Sequence, residues 1–231
     1  MHYDPGATQI GEYLVSARSM AEYRAMFSLT DADLRGRILD CPGGGAAFTA
    51  TACAGGATAI AADPAFASPV ADIAAHVAAE VERSTAWAQA NAHRYRWDFY
   101  GDVDGHGRVR GEAARLFTAD LHAHPERYVA ASLPDLPFAD DSFDLVLSSH
   151  LLFTYSDRLD RAFHRAALLE LARVSRGQVR AFPLVSQIGR PETELVEQVM
   201  ADLAAADVRA SIRAVDYDFE PGAGSMLVLD P

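Results

Sequence analysis

The amino-acid sequence predicts an α/β chain with helices on both faces of a mostly parallel sheet, and three observations carry that prediction. Residues 37–64, RILDCPGGGAAFTATACAGGATAIAADP, read as strand, glycine turn, alanine-rich helix and a second strand ending in an acid. Further apolar runs of strand length, at 128–133, 144–149 and 178–184, alternate with longer segments whose apolar residues recur at helical spacing. A length of 231 residues at 50% apolar composition suits one large α/β domain with an ample core.

Taking the elements in order, residues 8–28 have Ile10, Leu14, Ala17, Ala21 and Ala25 at helical spacing, with Tyr13, Tyr23, Met26 and Phe27 beside them. Residues 1–36 thus form a helical cover ahead of the first strand, with a short turn opening at Thr30. Ile38 and Leu39 then lead through Asp40 into Gly43, Gly44 and Gly45, which lack a Cβ where a ligand or a helix needs close approach to the backbone. The N–H groups at the start of the following helix, residues 46–54, lack intrahelical partners and can receive a polar or anionic group. The run 57–62 delivers Asp63 to the carboxyl end of the second strand, beside the first turn, where open parallel sheets bind ligands. A carboxylate there suits a ribose diol.

Residues 69–93 form a long helical pattern marked by Val70, Ile73, Val77, Val81 and Trp87 or Ala88. The aromatic stretch 93–100, HRYRWDFY, follows, then 101–111, GDVDGHGRVRG, which reads as turn-rich and polar, then a helical stretch at 112–123. The span from Asp63 to the third strand exceeds one crossover helix, so residues 66–126 read as a helical and aromatic cap over an acceptor pocket. Asp102, Asp104 and Gly107 mimic the start of a calcium loop, but its twelfth position is Ala113, which has no carboxylate. His122 and His124 are two apart and do not share a helix face, so no metal site is expected.

The third strand spans 128–133 and the fourth 144–149. An amphipathic helix at 157–175 is closed by Gly177, and the fifth strand spans 178–184. Pro191 opens a sixth helix, and strands at 208–219 and 226–229 form a hairpin through EPGAGS.

Charge and composition exclude several functions. A formal charge of −12 lacks the basic face that phosphate backbones require, so small molecules are the expected partners and nucleic acid is not. All 20 basic residues are arginine, which rules out Schiff-base and Walker-lysine chemistry. The N-terminus has no basic and apolar leader pattern and no run approaches the ~18 apolar residues of a membrane span, so a cytoplasmic protein is expected. Cys41 and Cys53 sit within one strand-loop-helix unit and do not suggest a disulfide framework.

Dinucleotides and S-adenosylmethionine both use this strand-turn-helix-strand layout. A dinucleotide fingerprint begun at Gly43 and Gly45 puts Phe48 where the third glycine belongs, which disfavours a nicotinamide-dependent oxidoreductase. The segment instead resembles the first motif of the Rossmann-like, class I S-adenosylmethionine-dependent methyltransferases, D/E-x-G-x-G-x-G: Asp40 takes the acidic place, and the glycine places fall on Pro42, Gly44 and Ala46. Residues 136–153, LPFADDSFDLVLSSHLLF, resemble that family's LPF-x-D-x-S-F-D-L-V segment, which leads into the fourth strand.

The resemblance implies a Rossmann-like sheet of seven strands ending in an antiparallel hairpin, one domain over 1–231, and S-adenosylmethionine as cofactor with S-adenosylhomocysteine as product. It implies cofactor binding by Asp40, Pro42, Gly43, Gly44, Asp63, Ser132, Leu133 and Ser149. His150, directly after the fourth strand, is the candidate general base toward the acceptor. Tyr13, Tyr95 and Trp97, with His150, are the candidate acceptor contacts, and aromatic faces also suit a sulfonium. The alternative is a fold that binds the cofactor or its product without turnover.

Overall fold

A computed structural model describes residues 13–231. β1 (Arg37–Asp40), β2 (Thr58–Ala62), β3 (Tyr128–Val129), β4 (Phe143–Ser149), β5 (Ser175–Phe182), β6 (Arg209–Ala214) and β7 (Ser225–Asp230) form one sheet in the order β3-β2-β1-β4-β5-β7-β6. The first five strands pair in parallel, and β7 lies antiparallel between β5 and β6. This is the expected α/β architecture with its C-terminal hairpin.

Both faces of the central strands are covered, which explains why they read as continuous apolar runs. On one face Ile38, Leu145, Leu147 and Val228 pack against α1 (Met20–Phe27) and α2 (Phe48–Ala54). On the other, Leu39, Val146, Val179 and Leu227 pack against α5 (Arg161–Arg173) and α6 (Thr193–Ala204). Two long helices, α3 (Val70–Ala90) and α4 (Val103–Ala123), fill the interval between β2 and β3. Val77 and Phe117 from these helices meet Ala61 in a third apolar cluster.

Phe48, the residue that breaks the dinucleotide pattern, is fully buried and stacks on Tyr23 with ring centroids 4.7 Å apart. Burying such a ring contributes about 2 kcal/mol, so this position serves the contact between α1 and α2.

Several boundaries differ from the sequence expectation, each for a local reason. The helix expected over 8–28 begins only at Met20, and residues 8–12 lie outside the described range. Ser19 starts the helix with a reciprocal capping box to Glu22. The chain before it runs irregularly across the glycine turn, where the Arg18 carbonyl accepts from the N–H of Ala47 at 2.8 Å.

The segment 101–111 is not turn-rich but opens α4: the Asp102 carboxylate accepts from the N–H of Gly105 and caps the helix. Gly105 permits close packing there, since a Cβ would stand 2.0 Å from the Tyr100 carbonyl oxygen. Gly177 does not close α5 but lies within β5, where a Cβ would stand 2.1 Å from the Asp144 carbonyl oxygen at a register shift between β4 and β5. Pro191 lies before α6 and not in its first turn, β3 is shorter than the expected 128–133, and α5 starts at Arg161 behind an Asp160 cap. Among the described residues, no helix is long and apolar enough to cross a membrane.

Candidate functional site

The carboxyl ends of β1, β2, β4 and β5 border a cavity of about 500 Å³, within the range of small-molecule sites. Its walls include the glycine turn, the segment before α1, side chains of α3 and α4, and the loops after β4, β5 and β6.

The turn itself is tightly self-bonded. The N–H of Gly43 donates to the Ala62 carbonyl at 3.0 Å, that of Ala46 to the Gly43 carbonyl at 3.1 Å, and that of Gly44 to Asp63 Oδ2 at 2.9 Å. Of the donors expected open at the start of the helix, the N–H groups of Ala46 and Ala47 are taken, the latter by the Arg18 carbonyl of the N-terminal segment. Gly44 has φ +50°, a conformation that favours glycine. A Cβ on Gly43 would meet the Ala61 side chain at 2.7 Å, and one on Gly45 would meet both Val77 methyls at 2.9 Å. These two glycines let the turn pack against β2 and α3.

Pro42, Gly43, Gly44, Asp63, Ser132, Leu133, Ser149, His150, Tyr13 and Tyr95 all line the cavity. Asp63 uses Oδ1 to accept from the N–H of Ala65 at 2.9 Å, so one carboxylate ties the glycine turn to the end of β2. Burial raises its pKa, opposed by those two backbone donors. Ser132 lies past the end of β3, where its hydroxyl donates to the Leu133 carbonyl at 3.1 Å.

Asp40 and Trp97 do not line the cavity among the described residues. Asp40 sits beneath it, where the Tyr23 hydroxyl reaches both carboxylate oxygens at 2.9 and 3.0 Å; burial holds its pKa well above the usual range. The Trp97 indole donates to the Ala92 carbonyl at 2.9 Å and packs edge-on against Tyr95 and Phe219, behind the wall. Tyr95 accepts from the Trp87 indole at 3.0 Å and stacks on Phe219 at 4.6 Å. Tyr13 is 48% exposed and rests on Tyr155 at the mouth.

His150 has φ +51°, and its N–H donates to the Phe182 carbonyl at 2.7 Å, fixing the end of β4 to β5. Its Nδ1 lies 2.8 Å from Ser149 Oγ. Burial, then the positive charges of Arg18 and Arg110, hold the imidazole neutral, with its pKa well below 6.5.

A buried polar network, whose Arg18, His106 and Arg110 also line the cavity, was not fully apparent from sequence. Glu22 is completely buried and accepts from Tyr100 Oη at 2.7 Å, from the N–H and Oγ of Ser19 at 2.8 and 3.0 Å, and from Arg110 and Arg18 at 3.1 and 3.3 Å. Arg110 also donates to the Ala17 carbonyl and, through Nε, to His106 Nε2 at 3.1 Å. Burial and the Arg110 charge push His106 down to about 3, so it is a neutral ring whose proton is on Nδ1. His106 and Arg110 are one turn apart on α4, and the glycines that made 101–111 look like a loop concealed that spacing. Glu220, which also lines the cavity, is pushed up to about 7 by burial against the opposing charges of Arg94 and Arg18. Among the described residues, no three His, Cys, Asp or Glu side chains are grouped to hold a metal.

Comparison with known proteins gives a partial family match. Residues 102–179, from the cap of α4 into β5, match the methyltransferase domain family model. An uncharacterised protein of Methanocaldococcus jannaschii is 24% identical over 213 residues, or 92% of this chain and 93% of its own. Among solved structures, a Pyrococcus horikoshii protein aligns at 15% identity over 91% of both chains, with a TM-score of 0.44. A SAM-dependent methyltransferase from Aquifex aeolicus aligns at 15% identity over 52% of this chain and 63% of its own, with a TM-score of 0.31. The family match excludes the glycine turn, so it is independent of the motif centred on Asp40 and Gly44.

Proposed function

We propose that this chain, a class I S-adenosylmethionine-dependent methyltransferase by fold and family match, transfers a methyl group to a small-molecule acceptor held in the cavity above β4 and β5. The observation that carries this reading is one cavity bounded both by the Gly43–Asp63 corner and by His150, which would give cofactor and acceptor a shared enclosure. The acidic character of the chain favours a small acceptor over a nucleic acid.

The residues present suit the cofactor. Asp63 retains lone pairs beyond its two backbone bonds that would suit ribose hydroxyls, Ser132 and Leu133 would hold the adenine, and Pro42, Gly43, Gly44 and Ser149, which line the same cavity, would hold the rest of the cofactor. Asp40 would act indirectly, through Tyr23 and the strand that carries the turn.

When bound, the cofactor supplies a methyl group already activated on a sulfonium, so the protein's tasks are alignment and exclusion of water. Tyr13 on Tyr155 narrows the mouth, and Tyr95 on Phe219 forms a rigid wall. If His150 Nδ1–H donates to Ser149 Oγ, the free Nε2 lone pair can take a proton from a hydroxyl or amine acceptor. The depressed pKa keeps that lone pair available at neutral pH but makes the imidazolium costly, so His150 would act as a weak base during transfer.

The test is turnover of methyl-labelled S-adenosylmethionine against a panel of small hydroxyl and amine acceptors, with binding of S-adenosylhomocysteine measured in parallel. Labelled product that is lost in His150→Gln supports the reading. Product binding without turnover on any acceptor would assign a non-catalytic, cofactor-sensing role.

A further inference from the structure

We propose that Thr154 and Gln187 form a recognition edge for an acceptor bearing an adjacent N–H donor and carbonyl acceptor, as in a carboxamide or lactam. The two residues come from different loops that meet at the cavity. Thr154 lies in the short 3₁₀ turn Phe153–Tyr155 after β4, and Gln187 lies in the loop after β5. The N–H of Gln187 donates to the Thr154 carbonyl at 3.0 Å and clips the loops together. The second loop is further closed by Ser186 N–H to the Arg190 carbonyl and Gly189 N–H to the Ser186 carbonyl, both at 2.9 Å. Both side chains are therefore presented from bonded turns.

Both residues line the cavity, yet Thr154 Oγ1 and both ends of the Gln187 amide are closed off from solvent without a hydrogen-bond partner among the described residues. An unpaired buried polar group costs about 1–3 kcal/mol, so three such atoms on two lining residues whose loops are bonded together point to a ligand that pairs them. The amide sets the chemistry. Nε2 offers donors and Oε1 offers lone pairs, so a partner that satisfies both ends must present an acceptor and a donor side by side. A carboxylate would place negative charge against Oε1, and an ammonium would place a donor against Nε2. Turning the amide by half a revolution exchanges its ends and leaves the same pair, and the threonine hydroxyl can serve either role.

The edge also lies where an acceptor needs holding. His150 is bonded to the end of β5 through Phe182, and Thr154 follows it by one turn of chain. This inference rests on the reading that the cavity takes cofactor and acceptor together, and the experiment separates the two.

The full chain is saturated with S-adenosylhomocysteine and titrated by calorimetry with benzamide, benzoate and benzylamine, which share a ring and differ in the hydrogen-bonding edge. The expected result is that benzamide binds roughly tenfold more tightly than the other two, as one unpaired buried polar group implies. Gln187→Leu should lose about that factor for benzamide, Thr154→Val a smaller one, and both should keep the S-adenosylhomocysteine affinity of the unaltered chain. Equal affinities, a preference for benzoate or benzylamine, no binding by any probe, or benzamide binding indifferent to Gln187→Leu would overturn the inference. Failure of S-adenosylhomocysteine itself to bind would overturn the underlying functional reading.

Discussion

Replacing Glu22 with glutamine changes one atom of a buried side chain, yet the structure predicts a large loss of stability. The carboxylate receives five donors: Tyr100 Oη, the N–H and Oγ of Ser19, and the guanidinium groups of Arg110 and Arg18. Glutamine keeps one accepting oxygen and turns an amide NH2 toward donors that already face inward. It also leaves buried Arg110 and partly buried Arg18 without that counter-charge. Breaking one partner of a buried ion pair costs about 3–5 kcal/mol, because the remaining charge stays desolvated. Urea unfolding at pH 7 should show that loss as a lower midpoint with an unchanged slope.

The pH dependence supplies a second readout. Burial raises the Glu22 pKa, but Arg110, Arg18 and the hydrogen bonds from Ser19 and Tyr100 outweigh it, leaving the folded pKa below 4.5. A depressed carboxylate pKa contributes stability that is fully present above its unfolded value and is lost as pH falls through the folded value. The gap between wild type and Glu22→Gln should therefore hold from pH 8 to 5 and shrink only in more acid solution. A loss below about 1 kcal/mol at pH 7, or a gap that does not change in acid, would refute the role assigned to this network.

Asp63→Asn should weaken S-adenosylhomocysteine binding by about 1–3 kcal/mol in calorimetry, through lost charge-assisted bonds to ribose and a looser tie to Gly44; unchanged affinity would remove Asp63 from the cofactor site. His150→Gln should lower kcat by about 100-fold with cofactor affinity preserved. Because the imidazole is already neutral, the wild-type rate should show no His150 inflection between pH 6 and 8, and a clear one near 6.5 would contradict its burial. Glu220, raised from 4.5 to about 7, contributes stability that is fully present below the unfolded pKa and lost as pH rises through 7. Glu220→Gln should thus gain about 3 kcal/mol relative to wild type between pH 4 and 8, and a constant difference would count against the shift. Limited proteolysis should leave 101–111 intact until global unfolding, since those residues form the capped start of α4; early cleavage there would mean that the turn is not helical.

The sheet was legible because each central strand is covered on both faces, so Ile38–Leu39 and Leu145–Val146–Leu147 had to be continuously apolar. That Asp63 and His150 border one cavity followed from their positions relative to the strand ends. The cover over the site was less legible. Helical periodicity before Ser19 is overridden by contacts of the N-terminal segment with the glycine turn, among them Arg18 to Ala47. Gly105, Gly107 and Gly111 carry low helix propensity, yet Gly105 is required beside Tyr100 and Asp102 caps the start. Trp97 and Tyr95 are near neighbours in sequence but face different ways, and only packing against Phe219 and Ala92 determines which one reaches the cavity. Thr154 and Gln187 carry no motif; their relation arises from one backbone bond between two loops.

In the function proposed above, one cavity holds the cofactor at its Asp63 corner and turns the methyl-bearing sulfur toward His150. A crystal structure of the full chain with S-adenosylhomocysteine measures this directly. The expected result is ribose hydroxyls within hydrogen-bond distance of the Asp63 carboxylate, the adenine beside Ser132 and Leu133, and the sulfur facing the space between His150 and Gln187. Product bound away from Asp63, or with its sulfur directed out of the shared cavity, would contradict it.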